Sequence, residues 1–154
     1  MKPFSVLSPM AAHSDSPSII FSSDFYHRHA RLSAEELDRV LQKVSEILEK
    51  EPKLVPIDRS RVMFLGDTHG NFEMTIHALK HLFPPKGSSH TNFDKVVFLG
   101  DFIDRGDYSI ENINLLMSMK AIAPDRLILI RGNHETRETN IRFDFYEKVI
   151  RRYG

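Results

Sequence analysis

The sequence lacks cysteine and tryptophan altogether across its 154 residues. Without cysteine, neither disulfide bonds nor zinc sites built from thiolates can form. Any metal ion must therefore be bound by His, Asp, Glu or Asn side chains, which favour the catalytic metals of hydrolytic enzymes over structural zinc. The sequence offers 8 histidines and 21 acidic residues for that purpose.

Neither a surplus of one charge nor a long apolar run is present. Lys and Arg number 21, as do Asp and Glu, so the formal net charge is +0. Nucleic acids and anionic membranes are usually bound by proteins with a basic surplus, so neither is an expected partner. No stretch approaches the roughly 20 apolar residues that span a bilayer, and the N-terminal residues match neither a secretory nor a mitochondrial leader. We therefore expect a soluble protein of the cytoplasm, the nucleus or both.

Composition divides the chain into a tail and one domain. Residues 1–30 are rich in Ser and Pro and lack the periodicity of helices and strands, so this segment is predicted to be disordered. Residues 31–154 are predicted to form one domain, and an apolar share of 41% over the whole chain permits a core. The domain begins with a helix over 33–50, whose capping box consists of Ser33 and Glu36.

A strand, a polar loop with glycine and a helix follow one another three times. The strands are predicted at 62–65, 96–99 and 127–130, and the helices near 72–83, 109–121 and 140–152. Uninterrupted apolar strands that alternate with helices are typical of a layered α/β fold with a buried parallel sheet and right-handed crossovers. Residues 84–93 are interpreted as a loop between the first two units. Because the three polar loops leave the carboxyl ends of their strands, we expect them to meet at one edge of the sheet.

These loops carry side chains that bind cations and phosphate. They are, in chain order, Asp67 and His69, then Asp101, Asp104 and Arg105, then Asn133 and His134. Each group alone is weak evidence, because such residues also stabilise turns and helix N-termini. Together, their oxygen and nitrogen atoms suit two cations that share the Asp101 carboxylate and activate water for attack on phosphorus. Arg105 can bind phosphate oxygens through its forked guanidinium, while His134 can serve as a metal ligand or as a general acid.

Three sequence motifs resemble those of the phosphoprotein phosphatase family of calcineurin-like metallophosphoesterases: GDTHG (66–70), GDFIDRG (100–106) and RGNHE (131–135). The resemblance runs from about Leu32 to Gly154 and includes the closing stretch FYEKVIRRYG. It implies the N-terminal half of the family's four-layer α/β/β/α sandwich, with three β-loop-α units. It also implies a serine/threonine protein phosphatase that hydrolyses phosphoserine and phosphothreonine monoesters. A phosphoprotein substrate and regulatory subunits are the implied partners.

The resemblance implies two divalent metal ions, either manganese or iron with zinc. Asp67 and His69 would bind the first metal, Asp101 would bridge both, and Asn133 would bind the second. The family's two further histidine ligands to the second metal have no counterpart in this sequence. The second site is therefore predicted to be incomplete, and the chain to bind one metal well and the second weakly, with little turnover.

The resemblance also implies the catalytic roles. His134 would protonate the leaving serine or threonine oxygen, and Asp104 would hold and stabilise the His134 imidazole. Arg105 and Asn133 would bind the substrate phosphate. Thr68 stands where the family usually has Ile, a departure that touches none of this chemistry and indicates a divergent branch.

Two other functions remain open from the sequence. Dinucleoside polyphosphate hydrolases share all three motifs, although the helix ahead of the first strand favours the protein phosphatases. A non-catalytic module that binds phosphoproteins through Arg105, or binds phosphatase regulators, is the second alternative. The absent half of the domain would leave a sheet edge and apolar surface exposed, so the isolated chain is predicted to be marginally stable or to self-associate.

Overall fold

Three short parallel strands form one sheet in the computed structural model, which describes residues 22–57, 60–84 and 92–154. In sheet order, the strands are β1 (Val62–Leu65), β2 (Lys95–Phe98) and β3 (Leu127–Leu129). Each predicted strand is present within one residue at either end, and both pairings are parallel. The predicted α/β class with three β-loop-α units is therefore confirmed.

Six helices occur among the described residues. They are α1 (Ser23–Ala30), α2 (Ala34–Leu48), α3 (Phe72–Leu82), α4 (Ser109–Ile122), α5 (Arg137–Arg142) and α6 (Phe145–Tyr153). The capping box of α2 is confirmed, since the Glu36 amide donates to Ser33 Oγ at 3.2 Å and the Ser33 amide donates to Glu36 Oε2 at 2.9 Å. Within the described residues, we find no helix with the length and apolarity that crossing a bilayer demands.

α4 is the helix on which much of the fold packs. It contacts α1, α2, α3, α6 and β3. Leu115, Leu116 and Met119 on this helix are completely buried. Its buried polar residues have hydrogen-bond partners; Lys120 Nζ, for example, donates to the carbonyl of Leu127 at 2.8 Å. The side-chain oxygen Oδ1 of Asn112 is an exception, since it is buried without a hydrogen-bond partner.

Among the described residues, helices pack against one face of the sheet, and the other face is partly exposed. The register aligns Phe64 with Val97 and Val97 with Ile128, so these three side chains share a face and their sequence neighbours share the other. The neighbours join the main hydrophobic core with α3 and α4. On the first face, Val97 and Ile128 are buried, but the exposed fractions of Phe64, Leu99 and Ile130 are 59%, 46% and 47%. The expectation that the strands are buried on both faces is therefore wrong at these positions.

The predicted disordered tail is wrong for residues 23–30, which form α1. Tyr26 and Ala30 on this helix are buried in the main core, and Asn114 Nδ2 donates to the Ala30 carbonyl at 3.1 Å. Two buried positions on an eight-residue helix are too few to give a clear apolar period in the sequence. Residues 1–21 of the predicted tail, and 85–91 of the predicted loop, lie outside the described residues.

The single helix predicted over 140–152 is also wrong, because α5 and α6 are separated by Phe143 and Asp144. Asp144 has a φ of 76°, in the left-handed region, which a right-handed helix cannot include. Aspartate tolerates this conformation better than most residues, yet no Gly or Pro marks the break in the sequence. The break places Phe143 beside His134, with ring centroids 4.9 Å apart.

The exposed sheet face should promote self-association of the 154-residue chain. Replacing Phe64 and Ile130 with Ser is expected to shift sedimentation-velocity profiles towards monomer, because both are large apolar side chains exposed on the same face of the sheet. The control is Leu54→Ser, which removes an 84% exposed apolar side chain outside the strands and should change little. A wild-type chain that stays monomeric at all concentrations and melts sharply and reversibly would contradict this prediction.

Candidate metal centre

The first and second polar loops meet at the carboxyl edge of the sheet, as predicted. The amides of Thr68 and His69 both donate to the carbonyl of Asp101, at 3.1 and 2.9 Å. The amide of Gly70 donates to the carbonyl of Phe102 at 2.8 Å. Because these loops follow β1 and β2 closely, the parallel register of the two strands sets them side by side.

Glu135 joins the third loop to the second. Its carboxylate accepts hydrogen bonds from the amides of Asp101 at 2.8 Å, Phe102 at 2.7 Å and Gly132 at 2.9 Å. Hydrogen bonds to an ionised carboxylate are stronger than those between neutral groups. Glu135 thereby fixes the backbone at Asp101, the residue predicted to bridge two metals.

Two glycines allow the second and third loops to approach this closely. A β-carbon at Gly100 would lie 2.3 Å from the nitrogen of Gly132, and one at Gly132 would lie 2.1 Å from Asp101 Oδ1. Both separations are far shorter than van der Waals contact. A larger residue at either position would therefore push the two loops apart.

The side chains of His69, Asp101 and His134 lie together, with one ligand atom of each within 4.8 Å of the others. Nδ1 of His69 donates to the carbonyl of Ile103 at 2.9 Å, which leaves the lone pair on Nε2, the form that binds metals. The amide of His134 donates to Asp101 Oδ1 at 2.9 Å, so backbone contacts hold the Asp101 carboxylate in place. Asp101 and His134 are buried and His69 is partly buried, and we call these three residues the buried cluster.

His134 also has a carboxylate and a guanidinium as neighbours. Its Nδ1 donates to Asp104 Oδ2 at 2.9 Å, and the Asp104 side chain is completely buried. The other ring nitrogen, Nε2, lies 3.5 Å from Nη2 of Arg105. The Asp104 carboxylate fixes the tautomer and orientation of the ring, so that Nε2 faces the position where Arg105 could bind an anion.

The other two predicted metal ligands, Asp67 and Asn133, are exposed. Asp67 Oδ2 lies 3.8 Å from His69 Nε2, at the edge of the buried cluster. The backbone carbonyl of Asn133 accepts a hydrogen bond from Thr136 Oγ1 at 3.1 Å. The structure therefore brings Asp67 close to the cluster, and the roles of Asp67 and Asn133 as ligands stay predictions.

Four residues of the centre have left-handed backbone conformations. They are His69, Asp101, Asp104 and Arg105, with φ angles of 42°, 52°, 66° and 63°. In residues other than glycine, this conformation costs about 1–2 kcal/mol each. Strain of this kind persists only where surrounding contacts impose it, and it is typical of functional sites. Here the hydrogen bonds between the loops impose it.

The side chains of the centre fit a divalent cation. Asp101 and Asp104 are buried carboxylates, and the exposed carboxylate of Asp67 lies 3.8 Å from His69 Nε2. Buried carboxylates are costly unless a cation or strong hydrogen bonds stabilise them. Imidazole nitrogen and carboxylate oxygen together suit zinc, iron and manganese. His69 Nε2 and the carboxylates of Asp101 and Asp67 are the groups that would hold the first cation.

Sequence reasoning missed two residues that shape this centre. Glu135 belongs to the RGNHE motif, but the sequence does not predict its hydrogen bonds to the loop backbone. A carboxylate directly after His134 is the one sequence feature that points to a role for this residue. Asn112 on α4 donates to the carbonyl of Phe102 at 2.8 Å, and nothing in the sequence around it indicates this contact.

Removing the charge of Glu135 should weaken metal binding. Glu135→Gln keeps the size of the side chain, but its amide nitrogen cannot accept a backbone N–H, so at least one of the three hydrogen bonds is lost. We expect the Kd for Mn²⁺, measured by calorimetric titration, to rise about tenfold or more. Glu138→Gln, on the exposed face of α5, is the control and should keep the wild-type Kd. Equal Mn²⁺ affinity in wild type and Glu135→Gln would contradict the role assigned to Glu135.

Comparison with known proteins shows the family to which this chain belongs. The sequence profile of the calcineurin-like phosphoesterase family matches residues 60–154, more than half of the chain. A solved structure of a protein serine/threonine phosphatase from Saccharomyces cerevisiae, with similarity to human phosphatase PP5, matches with a TM-score of 0.67 and 26% identity. The match covers 86% of this chain but 42% of that chain, so this chain spans less than half the length of that relative. The sequence resemblance and the partial-domain fold are confirmed, and the chain belongs to the calcineurin-like phosphoesterase family.

Proposed function

We propose that this chain is part of a serine/threonine protein phosphatase that hydrolyses phosphoserine and phosphothreonine monoesters with two divalent cations. The observation that carries this proposal is the arrangement of His134, Asp104 and Arg105 beside the buried cluster. An imidazole able to donate a proton lies 3.5 Å from a guanidinium able to bind phosphate. The likeness to the S. cerevisiae phosphatase supports protein substrates over nucleotide substrates.

The proposed cations are manganese, or iron with zinc. When bound, they would supply Lewis acidity to the phosphoryl oxygens and lower the pKa of the attacking water. Asp67, His69 and Asp101 would hold the first cation, and Asp101 and Asn133 the second. Two protein ligands are fewer than the roughly four that zinc-like ions prefer, so the second site should be weak in this chain.

Arg105 and His134 would act in sequence on the substrate. In the structure, Nη2 of Arg105 lies 3.5 Å from Nε2 of His134. A bound phosphate would draw the guanidinium into paired hydrogen bonds with its oxygens and would stabilise a protonated His134 ring. His134 Nε2 would then hold the proton that passes to the leaving serine or threonine oxygen. Asp104, bonded to Nδ1 at 2.9 Å, would stabilise the positive charge of the ring before the transfer.

Regulatory subunits, and a location in the cytoplasm, the nucleus or both, form part of the same proposal. The regulatory subunits follow from the resemblance of the three motifs to the phosphoprotein phosphatases. Dinucleoside polyphosphate hydrolysis is the second candidate function, because it shares the three motifs. A non-catalytic phosphoprotein-binding module is the third, because the second metal site has two protein ligands in this chain.

Metal removal and reloading should show two unequal sites. After dialysis against a chelator, addition of Mn²⁺ should load about one ion per chain at low concentration, and a second ion only at concentrations at least about tenfold higher, because the second site lacks ligands. Calorimetric titration and metal analysis by mass spectrometry provide the two measurements. Two tightly bound ions per chain would contradict the predicted incompleteness of the second site.

His134→Asn should separate general-acid catalysis from phosphate binding. With Mn²⁺ present and the chain in excess over substrate, we expect this variant to lower the rate on a phosphoserine peptide by at least about 100-fold. The loss on p-nitrophenyl phosphate should be smaller, because nitrophenolate leaves without a proton. His77→Asn on α3, outside the centre, is the control and should leave both rates unchanged.

The same assays distinguish the alternative functions. Faster hydrolysis of a dinucleoside tetraphosphate than of the phosphopeptide would favour the nucleotide hydrolase. Retention of the phosphopeptide by the Mn²⁺-loaded chain, without any hydrolysis, would favour the non-catalytic module. If His134→Asn lowers the hydrolysis rates of the phosphoserine peptide and of p-nitrophenyl phosphate by equal factors, the general-acid role of His134 is contradicted.

A further inference from the structure

Asn112 is a polar residue on α4 that contacts two loops of the metal centre. Its side chain is completely buried, with 0% exposure. Nδ2 donates one hydrogen bond to Thr68 Oγ1 at 3.0 Å and another to the carbonyl of Phe102 at 2.8 Å. Both amide hydrogens of Asn112 are therefore used between the first and second polar loops.

These two contacts lie directly beside the predicted metal ligands. Thr68 stands between Asp67 and His69, and Phe102 follows Asp101. Thr68 is itself buried, so water does not compete strongly for its hydroxyl. A displacement of either partner of Asn112 would therefore move a ligand of the first cation.

Packing alone does not account for an amide at this position. Burying a polar side chain costs free energy, and apolar residues of similar shape on both sides of a contact are often equally stable. Thr68 also replaces the Ile that the resembled family usually has, so a hydroxyl is present where packing would accept a methyl group. The directional hydrogen bond is what the Asn–Thr pair adds to the packing.

We propose that Asn112 is a positioning residue for the metal centre, which sets the first loop against the second through Thr68 Oγ1 and the carbonyl of Phe102. This inference rests on the cation binding that forms part of the proposed function, but not on the substrate. Asn112 touches neither the cation ligands nor the substrate; it acts through the residues next to Asp101 and His69.

The test compares Mn²⁺ affinity with thermal stability across matched variants. Asn112→Leu should raise the Kd for Mn²⁺ about tenfold or more. Asn114→Leu is the control, because Asn114 is equally buried on the same helix but bonds the Ala30 carbonyl and the Tyr153 hydroxyl, away from the loops. Asn114→Leu should lower the melting temperature while its Mn²⁺ affinity stays within about twofold of wild type, a factor that corresponds to less than RT.

Thr68 variants provide a second, independent measurement. Thr68→Ser keeps the hydroxyl and should retain the wild-type Kd, whereas Thr68→Val removes it and should weaken Mn²⁺ binding. In the double variant Thr68→Val with Asn112→Leu, the pair becomes apolar. The melting temperature should then be higher than that of Thr68→Val alone, because the buried N–H of Asn112 that Thr68→Val leaves unpaired is no longer present. The Mn²⁺ affinity should stay low.

Three results would overturn the proposal. They are wild-type Mn²⁺ affinity in Asn112→Leu, an equal loss of affinity in Asn114→Leu, or no Mn²⁺ binding by the wild-type chain. Failure of the proposed phosphatase function gives a different result, because a wild-type chain that binds Mn²⁺ but hydrolyses no phosphopeptide leaves the affinity comparison intact. The predicted loss in Asn112→Leu, with Asn114→Leu unaffected, would support a positioning role.

Discussion

Three backbone amides from two loops donate to the carboxylate of Glu135, and the shape of the metal centre depends on those hydrogen bonds. They hold Gly132 so close to Asp101 that no β-carbon fits at that position. With the backbone fixed there, Asp101 Oδ1 accepts a hydrogen bond from the His134 amide. This contact holds the two predicted functional residues next to each other. Glu135 thus holds the second and third loops side by side, as the strand register holds the first and second loops side by side.

The helices support the centre through polar groups buried inside the core. On α4, Asn112 contacts the loops, Asn114 contacts α1 and α6, and Lys120 contacts the carbonyl of the first residue of β3. The contacts of Asn112 with Thr68 and of Asn114 join residues far apart in sequence. Each of the hydrogen bonds requires a particular direction between donor and acceptor. Apolar packing fills the core, whereas these hydrogen bonds specify how the loop-bearing units are placed relative to one another.

Sequence patterns were sufficient for the strands, the capped helix α2 and the convergence of the loops, because these follow from local periodicity and from parallel topology. They were insufficient where long-range contacts override local preference. α1 is stabilised by burial of Tyr26 against distant residues, and the break before α6 depends on the left-handed conformation of Asp144. For the same reason the motifs indicated Asp101 and His134, but not the hydrogen bond of Glu135 to the Asp101 amide.

The left-handed conformations in the loops would link the folding of this chain to the proposed binding of a cation. Four strained residues raise the free energy of the folded loops, by about 1–2 kcal/mol each before compensation. A cation that binds only the folded loops lowers that free energy again, by about 2.7 kcal/mol at a free concentration one hundred times its Kd. In metal-poor surroundings the sheet and α4 would persist while the loops opened first, so the chain would lose its site before losing its fold.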